Sequence, residues 1–512
     1  MKTEEEGSLT IFSALSLLLI LSFLLALLEG ARVSGLQMMD TLAADTGMDC
    51  VAAEYQTVLW DKYHLLYLDG AYGWDQFDEN KVSSRVMDYV AGNLSETGEN
   101  SVFRTKLCEA SLLEYMFATD NDGTGMLRQA SAYMKRHLPE DVAKKMYQQY
   151  QDGKKAEADG KTEYSVEDAD QAIINAKKEK EQADQNDKEG APQEEAGEKN
   201  IQDNENNHAQ DAEDSKKESP IQIVLQLKQN ALLGMTVSDM SSLSAKAVEA
   251  KDMVSNRQCE TGRYDMKKAE KMNVSDRVMV LEYIGKHFSD YTEPGKGDLT
   301  YEMEYILCGK DTDKKNLESS IEHLMRMREA ANVAHIIADR EKLNQTLMIA
   351  TSLAGFSGNP AVVKIVQIGV VAAWAYVESI LDLRTLLSGG KISLIKSAAE
   401  WTTDLKKLGE IVTGEGKARE CKNGLSYQAY IKQLLFAMKE KKMAYRMMDI
   451  MELAMQKEQN GKNARMDHMI DNMICELRFE AKPLFAKRSL YGDMEMGGYT
   501  FFKRQKLSYI NK

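Results

Sequence analysis

The hydrophobic pattern is most uneven at the start of the chain, where an uncharged, mostly apolar run extends from Gly7 to Leu28. Glu4, Glu5 and Glu6 bound it on one side, Glu29 and Arg32 on the other. At 1.5 Å of rise per residue, roughly 20 apolar residues match the ~30 Å hydrocarbon core of a bilayer. A cleaved secretory signal has a shorter apolar region, a basic start and small residues at its cleavage site, whereas this start is acidic and Glu29-Gly30-Ala31 is a poor site. The pattern therefore predicts a retained transmembrane anchor over 1–30. Beyond it Val33, Leu36, Met39, Ala43, Val51, Tyr55 and Val58 recur at three-to-four-residue multiples, which predicts a helical stalk. Gly35 and Gly47 weaken that stalk by about 1 kcal/mol each relative to alanine.

Downstream, Leu112 to Ala118 and the stretch from Met126 to Tyr147 read as helices of a first segment, 31–150. From Lys177 to Ser219 the only aliphatic residue larger than alanine is Ile201, amid Glu, Asp, Lys, Asn and Gln. Such a stretch cannot offset an ordering cost of about 1 to 2 kcal/mol per residue, so 151–219 is expected to be an acidic linker, disordered or loosely helical. Pro220 opens a second helical region, 220–465. Within it Leu317, Ile321, Leu324, Arg328 and Ala331 mark an amphipathic helix after the polar Asp311-Thr312-Asp313 start. Leu347 to Phe356 and Ala361 to Ile380 flank a Gly358-Asn359-Pro360 turn, and Ser426 to Gln456 continues as a long Met-rich helix. A second membrane span over 361–380 competes with a buried helix pair, and Lys364, Gln367 and Glu378 favour the pair, because such charges cost about 2.5 to 3.5 kcal/mol each in lipid. The period then changes to two. Met473, Cys475, Leu477 and Phe479 alternate with Ile474, Glu476, Arg478 and Glu480, and Tyr499 to Phe502 follows Gly497-Gly498, which predicts a terminal β-hairpin within 466–512. The expected fold class is mainly α (α+β).

Composition narrows the function. Across 512 residues, 65 Lys and Arg against 80 Asp and Glu leave a formal charge of −15 with no basic cluster, which argues against a nucleic-acid partner. Cys50, Cys108, Cys259, Cys308, Cys421 and Cys475 form no Cys-x-x-Cys pair; scattered thiols and three disulfides are both compatible with them. The seven histidines contain no His-Glu-x-x-His, so no zinc ligand set is visible. In Gly414-Glu415-Gly416-Lys417, Ile411 and Ala418 occupy positions a phosphate loop needs filled by Gly and Ser or Thr, and a turn is expected. Asp120-Asn121-Asp122-Gly123 resembles part of a calcium loop, but Ala118 and Gln129 stand at the first and twelfth ligand positions, again predicting a turn. Asn93, Asn273 and Asn344 begin glycosylation sequons, informative only for a secreted eukaryotic chain. No catalytic constellation emerges, and no cofactor or metal is expected.

Glu6-Gly7-Ser8-Leu9-Thr10-Ile11-Phe12, the apolar run, Glu29-Gly30-Ala31-Arg32 and a stalk ending in Glu54-Tyr55 and Leu59-Trp60 resemble the N-terminus of TadE/TadG-like, pilin-related proteins of Tad pilus and type II/IV-like secretion systems. In particular the chain resembles a large Gram-positive family with a domain of unknown function. Tyr301 to Lys310 and Trp374 to Lys391 extend the likeness. It implies a non-enzymatic, single-pass protein of the cell membrane with an extracytoplasmic bulk. Its implied partners are membrane lipid, pilus or secretion-assembly membrane proteins and other pilin-like subunits. Prepilin-type processing would fall between Gly7 and Ser8, but such pilins carry Glu at the fifth mature position, here Phe12, which points to an accessory component. Val33, Leu36, Met39 and Val51 are the candidate helix-helix contacts, although packing onto the protein's own body explains them equally. The competing reading is a surface adhesin or sensor that binds an extracellular ligand; a membrane-tethered hydrolase ranks last.

Overall fold

A computed structural model describes residues 2–95, 102–160, 165–189, 219–264, 272–409, 416–458, 461–484 and 497–509. Side chains of residues 2–8, 95, 140, 142, 143, 156, 157 and 183–189 fall outside that description. Helix α1 (Lys2–Ala52) runs unbroken from the apolar segment into the stalk. Its buried positions, Leu36, Asp40, Ala43, Ala44, Gly47, Met48 and Val51, repeat at three and four residues, so one stripe faces the protein. Short α2 (Thr57–Tyr63) and the two-residue β1 (Leu68–Asp69) lead to α3 (Glu79–Ser95), which buries Val82, Val86, Val90 and Leu94 at four-residue spacing.

The segment Leu112 to Ala118, expected to be helical, is instead part of strand β2 (Lys106–Phe117). Register shifts at Leu107/Glu109, Leu112/Glu114 and Met116/Phe117 interrupt the alternation. These irregularities bring Leu112 and Tyr115, three residues apart, to buried positions, a spacing that imitates a helix. Helix α4 (Thr124–His137) stops before Pro139, and α5 (Glu140–Asp159) begins beyond it.

Much of the predicted linker 151–219 is ordered helix. Besides the end of α5, α6 (Val166–Glu189) starts with reciprocal bonds between Ser165 and Asp168 and buries Val166, Ala169, Ile173 and Ala176. This buried stripe, with Val166 and Ile173 in it, lies before Lys177, where the stretch poor in aliphatic residues begins. Residues 190–218, the remainder of that linker, lie outside the described residues.

Then come α7 (Pro220–Lys228), α8 (Leu232–Thr236), α9 (Val274–His287) and α10 (Glu302–Cys308). The long α11 (Asp313–Ala338) is capped by Thr312 and ends at Asp339, whose carboxylate caps α12 (Arg340–Ala354) by accepting from the amides of Glu341 and Lys342. Gly358, at φ 64°, and Asn359 turn the chain into α13 (Pro360–Leu387). From Val366 onward α13 is largely buried among α6, α11 and α12, as a buried helix pair requires. The predicted continuous helix Ser426–Gln456 is two helices, α14 (Tyr427–Phe436) and α15 (Glu440–Gln456). Between them the Met438 carbonyl leaves the helical ladder and accepts from the Arg277 guanidinium.

Strands β3 (Met469–Ala481) and β4 (Tyr499–Ser508) form the expected antiparallel pair, Phe479 opposite Phe501 and Met473 opposite Leu507. Strand β3 is central: β2 pairs along one edge, β4 and β1 along the other. Met473, Cys475, Leu477 and Phe479 point to a core shared with Val51, Val86, Val90 and Leu507. The opposite face is polar, crossed by the ion pairs Arg504–Glu476 and Arg478–Glu109.

The domain order expected from the sequence, consecutive along the chain, is replaced by two interleaved units. One comprises Met1–Tyr133, Lys251–Met272 and Glu440–Lys512, the other Met134–Ala250 and Asn273–Lys439.

Candidate functional site: a bare apolar helix and its buried root

Helix α1 changes environment part-way along. Its segment Leu9–Ala52 contains a window with mean hydropathy 2.8, none of it buried, so the helix is long and apolar enough to cross a membrane. Membrane anchors and N-terminal signal sequences share that property. Leu9, Phe12, Leu19, Phe23 and Leu28 are all exposed. Gly7 and Ser8 lie in the helical backbone of α1, with side chains outside the described residues.

The change falls at Glu29 and Arg32, both 6% exposed and joined by a 2.8 Å ion pair one helical turn apart. Arg32 Nε also donates to the Val102 carbonyl at 2.6 Å, and the Leu484 amide approaches the Glu29 carboxylate at 3.4 Å. Two distant chain segments thus grip the helix where its apolar half ends. A buried pair held this way is costly to break, because either partner alone is an uncompensated charge.

Below this point the candidate contact residues separate. Leu36 and Val51 are fully buried in the protein's own core and are withdrawn from any intermolecular role; Val33 and Met39 are half-buried. The large apolar side chains left outside are Met38, 74% exposed, and Leu42, 58% exposed. Asp40 occupies a core position of the stripe, and burial pushes its carboxyl up to about 6 against weaker lowering by Thr105 and Lys503. Its signal in the sequence was a charge at a position where periodicity demands an apolar residue.

Elsewhere in this unit, Asp120 folds inward and accepts from the amides of Phe117 and Gly262, while Asn121, Asp122 and Gly123 all take positive φ. The Asp120–Gly123 segment is therefore the expected turn, with Asp122 paired to Lys441 at 2.9 Å. Asp467 is desolvated, yet hydrogen bonds from Arg465 and the Glu260 amide, with the Arg257 charge, hold its carboxyl down at about 2. Arg257 also pairs with Glu452. An open hollow of about 240 Å³ beside them is lined by Lys251, Arg257, Glu452, Lys462 and Arg465, its two arginines already engaged by carboxylates.

The second unit holds its own polar centre. Arg328, fully buried on α11, bonds Asp382 at 3.0 Å, Tyr430 at 2.8 Å and the Leu394 carbonyl at 2.8 Å. Buried Lys396 pairs with both Asp382 and Glu378, whose carboxylate also accepts the Thr402 and Thr403 amides. Two cations and two anions cancel, which makes this a packing device. Glu304 differs: burial pushes its carboxyl up to about 8, against hydrogen bonds from the Tyr427 hydroxyl and the Tyr291 amide.

Among the described residues no group of three or more His, Cys, Asp or Glu side chains is suited to hold a metal ion. No disulfide joins the six cysteines, all of which are among the described residues. Gly414 and Glu415, expected in a turn, and His208 lie outside the described residues.

Comparison with known proteins yields one relation. The profile described as a family of unknown function (DUF5702) matches residues 210–481. No curated protein and no solved structure matches the chain.

Proposed function

Because the chain belongs to the DUF5702 family of unknown function, we propose a role from its geometry: a non-enzymatic, pilin-like component of a Tad-type pilus or secretion system, held in the cell membrane by α1 with its bulk extracytoplasmic. The observation that carries this reading is the continuity of α1, one 51-residue helix. Its apolar half is bare and its other half lies in the core beneath β3 and β4. Bare apolar surface of that extent demands lipid or the helices of other subunits, since water contact costs about 25 cal/mol per Å². The gripped Glu29–Arg32 pair transmits any load on the anchor directly to the folded unit. Lateral contact with other pilin-like subunits or assembly proteins runs along Met38 and Leu42, flanked by Val33 and Met39. No part of this role calls for nucleic acid or a cofactor.

The test is fractionation and affinity capture from the native membrane. The full chain is expected to resist alkaline carbonate extraction and to co-purify with secretion-apparatus membrane proteins. Met38→Glu with Leu42→Glu should abolish co-purification while leaving the chain in the membrane. Recovery of the intact chain in the soluble fraction would sink the proposal.

A further inference from the structure

The apolar surface of this protein is not confined to α1. From Leu343 to Val363 no residue carries a charge, and this stretch is most of α12, the turn after it and the first turn of α13. Met348 is 73% exposed; Leu347, Phe356 and Pro360 are also exposed, and Val362 and Val363 are half-buried. A helical hairpin that served only as core would have polar residues at these positions. Asn344, Gln345 and Ser352 are exposed, and the other polar groups bond within the hairpin. Thr346, Thr351 and Ser357 donate their hydroxyls to the carbonyls of Leu343, Leu347 and Ala354, and the Asn359 side chain accepts the Ala361 amide. Such local bonding lowers the cost of leaving water. Exposed charges border the stretch, cationic on balance: Arg340 against Glu341 at the start of α12, Lys364 just past the turn, and Lys180, whose ammonium lies 5.7 Å from the centre of the Phe356 ring.

We propose that this α12–α13 tip dips into the interfacial layer of an anionic lipid bilayer, a second and shallow membrane contact made by the unit that does not contain α1. An uncharged apolar tip with a cationic border matches lipid chemistry, with side chains buried roughly 5 to 10 Å and lysines reaching the headgroups. The deeper part of α13 stays in the protein core, so the second apolar run is neither a span nor wholly interior. The inference rests on α1 bringing the chain to a bilayer.

The full chain, carrying the photoreactive residue benzoylphenylalanine in place of Met348, Leu18 or Lys154, is reconstituted into vesicles containing phosphatidylglycerol. Illumination should attach lipid at both Leu18 and Met348, with about tenfold more adduct at Met348 than at exposed Lys154 on α5. Lipid at Leu18 with none at Met348, or cross-links from Met348 to a second protein chain, would overturn the tip contact and leave the anchor standing. No lipid adduct at Leu18 would overturn the anchor reading itself, and this inference with it.

Discussion

Single residues carry charge into places where the surrounding pattern asks for hydrocarbon, and stability should be most sensitive there. Arg328 sits in the apolar stripe of α11 yet satisfies Asp382, Tyr430 and two backbone carbonyls. Arg328→Met keeps much of the volume but leaves Lys396 as the one buried cation facing both Asp382 and Glu378, so one carboxylate charge is uncompensated and a loss of about 3 to 5 kcal/mol is expected by chemical denaturation. Glu304 makes a pH-dependent contribution. Its carboxyl, ordinarily near 4.5, stands at about 8 in the folded protein because burial disfavours the charged form. The folded state therefore holds a proton that the unfolded state releases. Stability from this group is complete below about pH 4.5 and is lost as pH rises toward 8, with a slope of about 1.4 kcal/mol per pH unit. Glu304→Gln should flatten that part of the pH–stability curve relative to the parent chain; an unchanged slope would assign the pH dependence to other groups.

At the scale of elements, close approach explains what propensity alone could not. Gly47 in α1 was read as a weak point, but a Cβ there would sit 2.4 Å from Val90 Cγ2 and 3.1 Å from the Val90 backbone. The missing side chain lets α1 and α3 cross closely. Gly47→Ala gains about 1 kcal/mol of helix propensity and meets an overpacking cost of about 1 to 3 kcal/mol, so a net loss of thermal stability is expected. The strand β2 was illegible for a related reason. Its irregular register with β3 spaces the buried Leu107, Leu112, Tyr115 and Phe117 unevenly where strand recognition depends on a periodicity of two, and only pairing to a strand more than 350 residues later determines its state. In contrast β3, lying between two partners with one face buried, keeps strict alternation and was readable directly.

For the whole molecule, the interleaving of units bears on what the family region is. Residues 210–481 contain β3 but neither β2 nor β4, and contain α13 but not α6, which packs along it. Expressed alone, that region should lack cooperative unfolding and be readily proteolysed. A chain lacking only residues 1–28 should retain a cooperative transition by circular dichroism, because the core beneath the sheet begins lower on α1, at Ala43. Cooperative folding of the isolated region would show that β2 and β4 are accessories.

What the sequence determined by itself is local and periodic. The bare apolar run, the capped helix starts at Thr312 and Ser426, the Gly358-Pro360 turn and the alternating strand β3 each follow from neighbours within a few residues, where backbone sterics and amphipathicity act. Tertiary structure decided the rest. Burial of Leu36 and Val51 within the protein, exposure of Met38, the packing of α6 and the fully paired charges around Arg328 depend on partners brought together from distant parts of the chain. Whether a helix face meets core, lipid or water is a property of what lies across from it, and periodicity along one segment does not encode that.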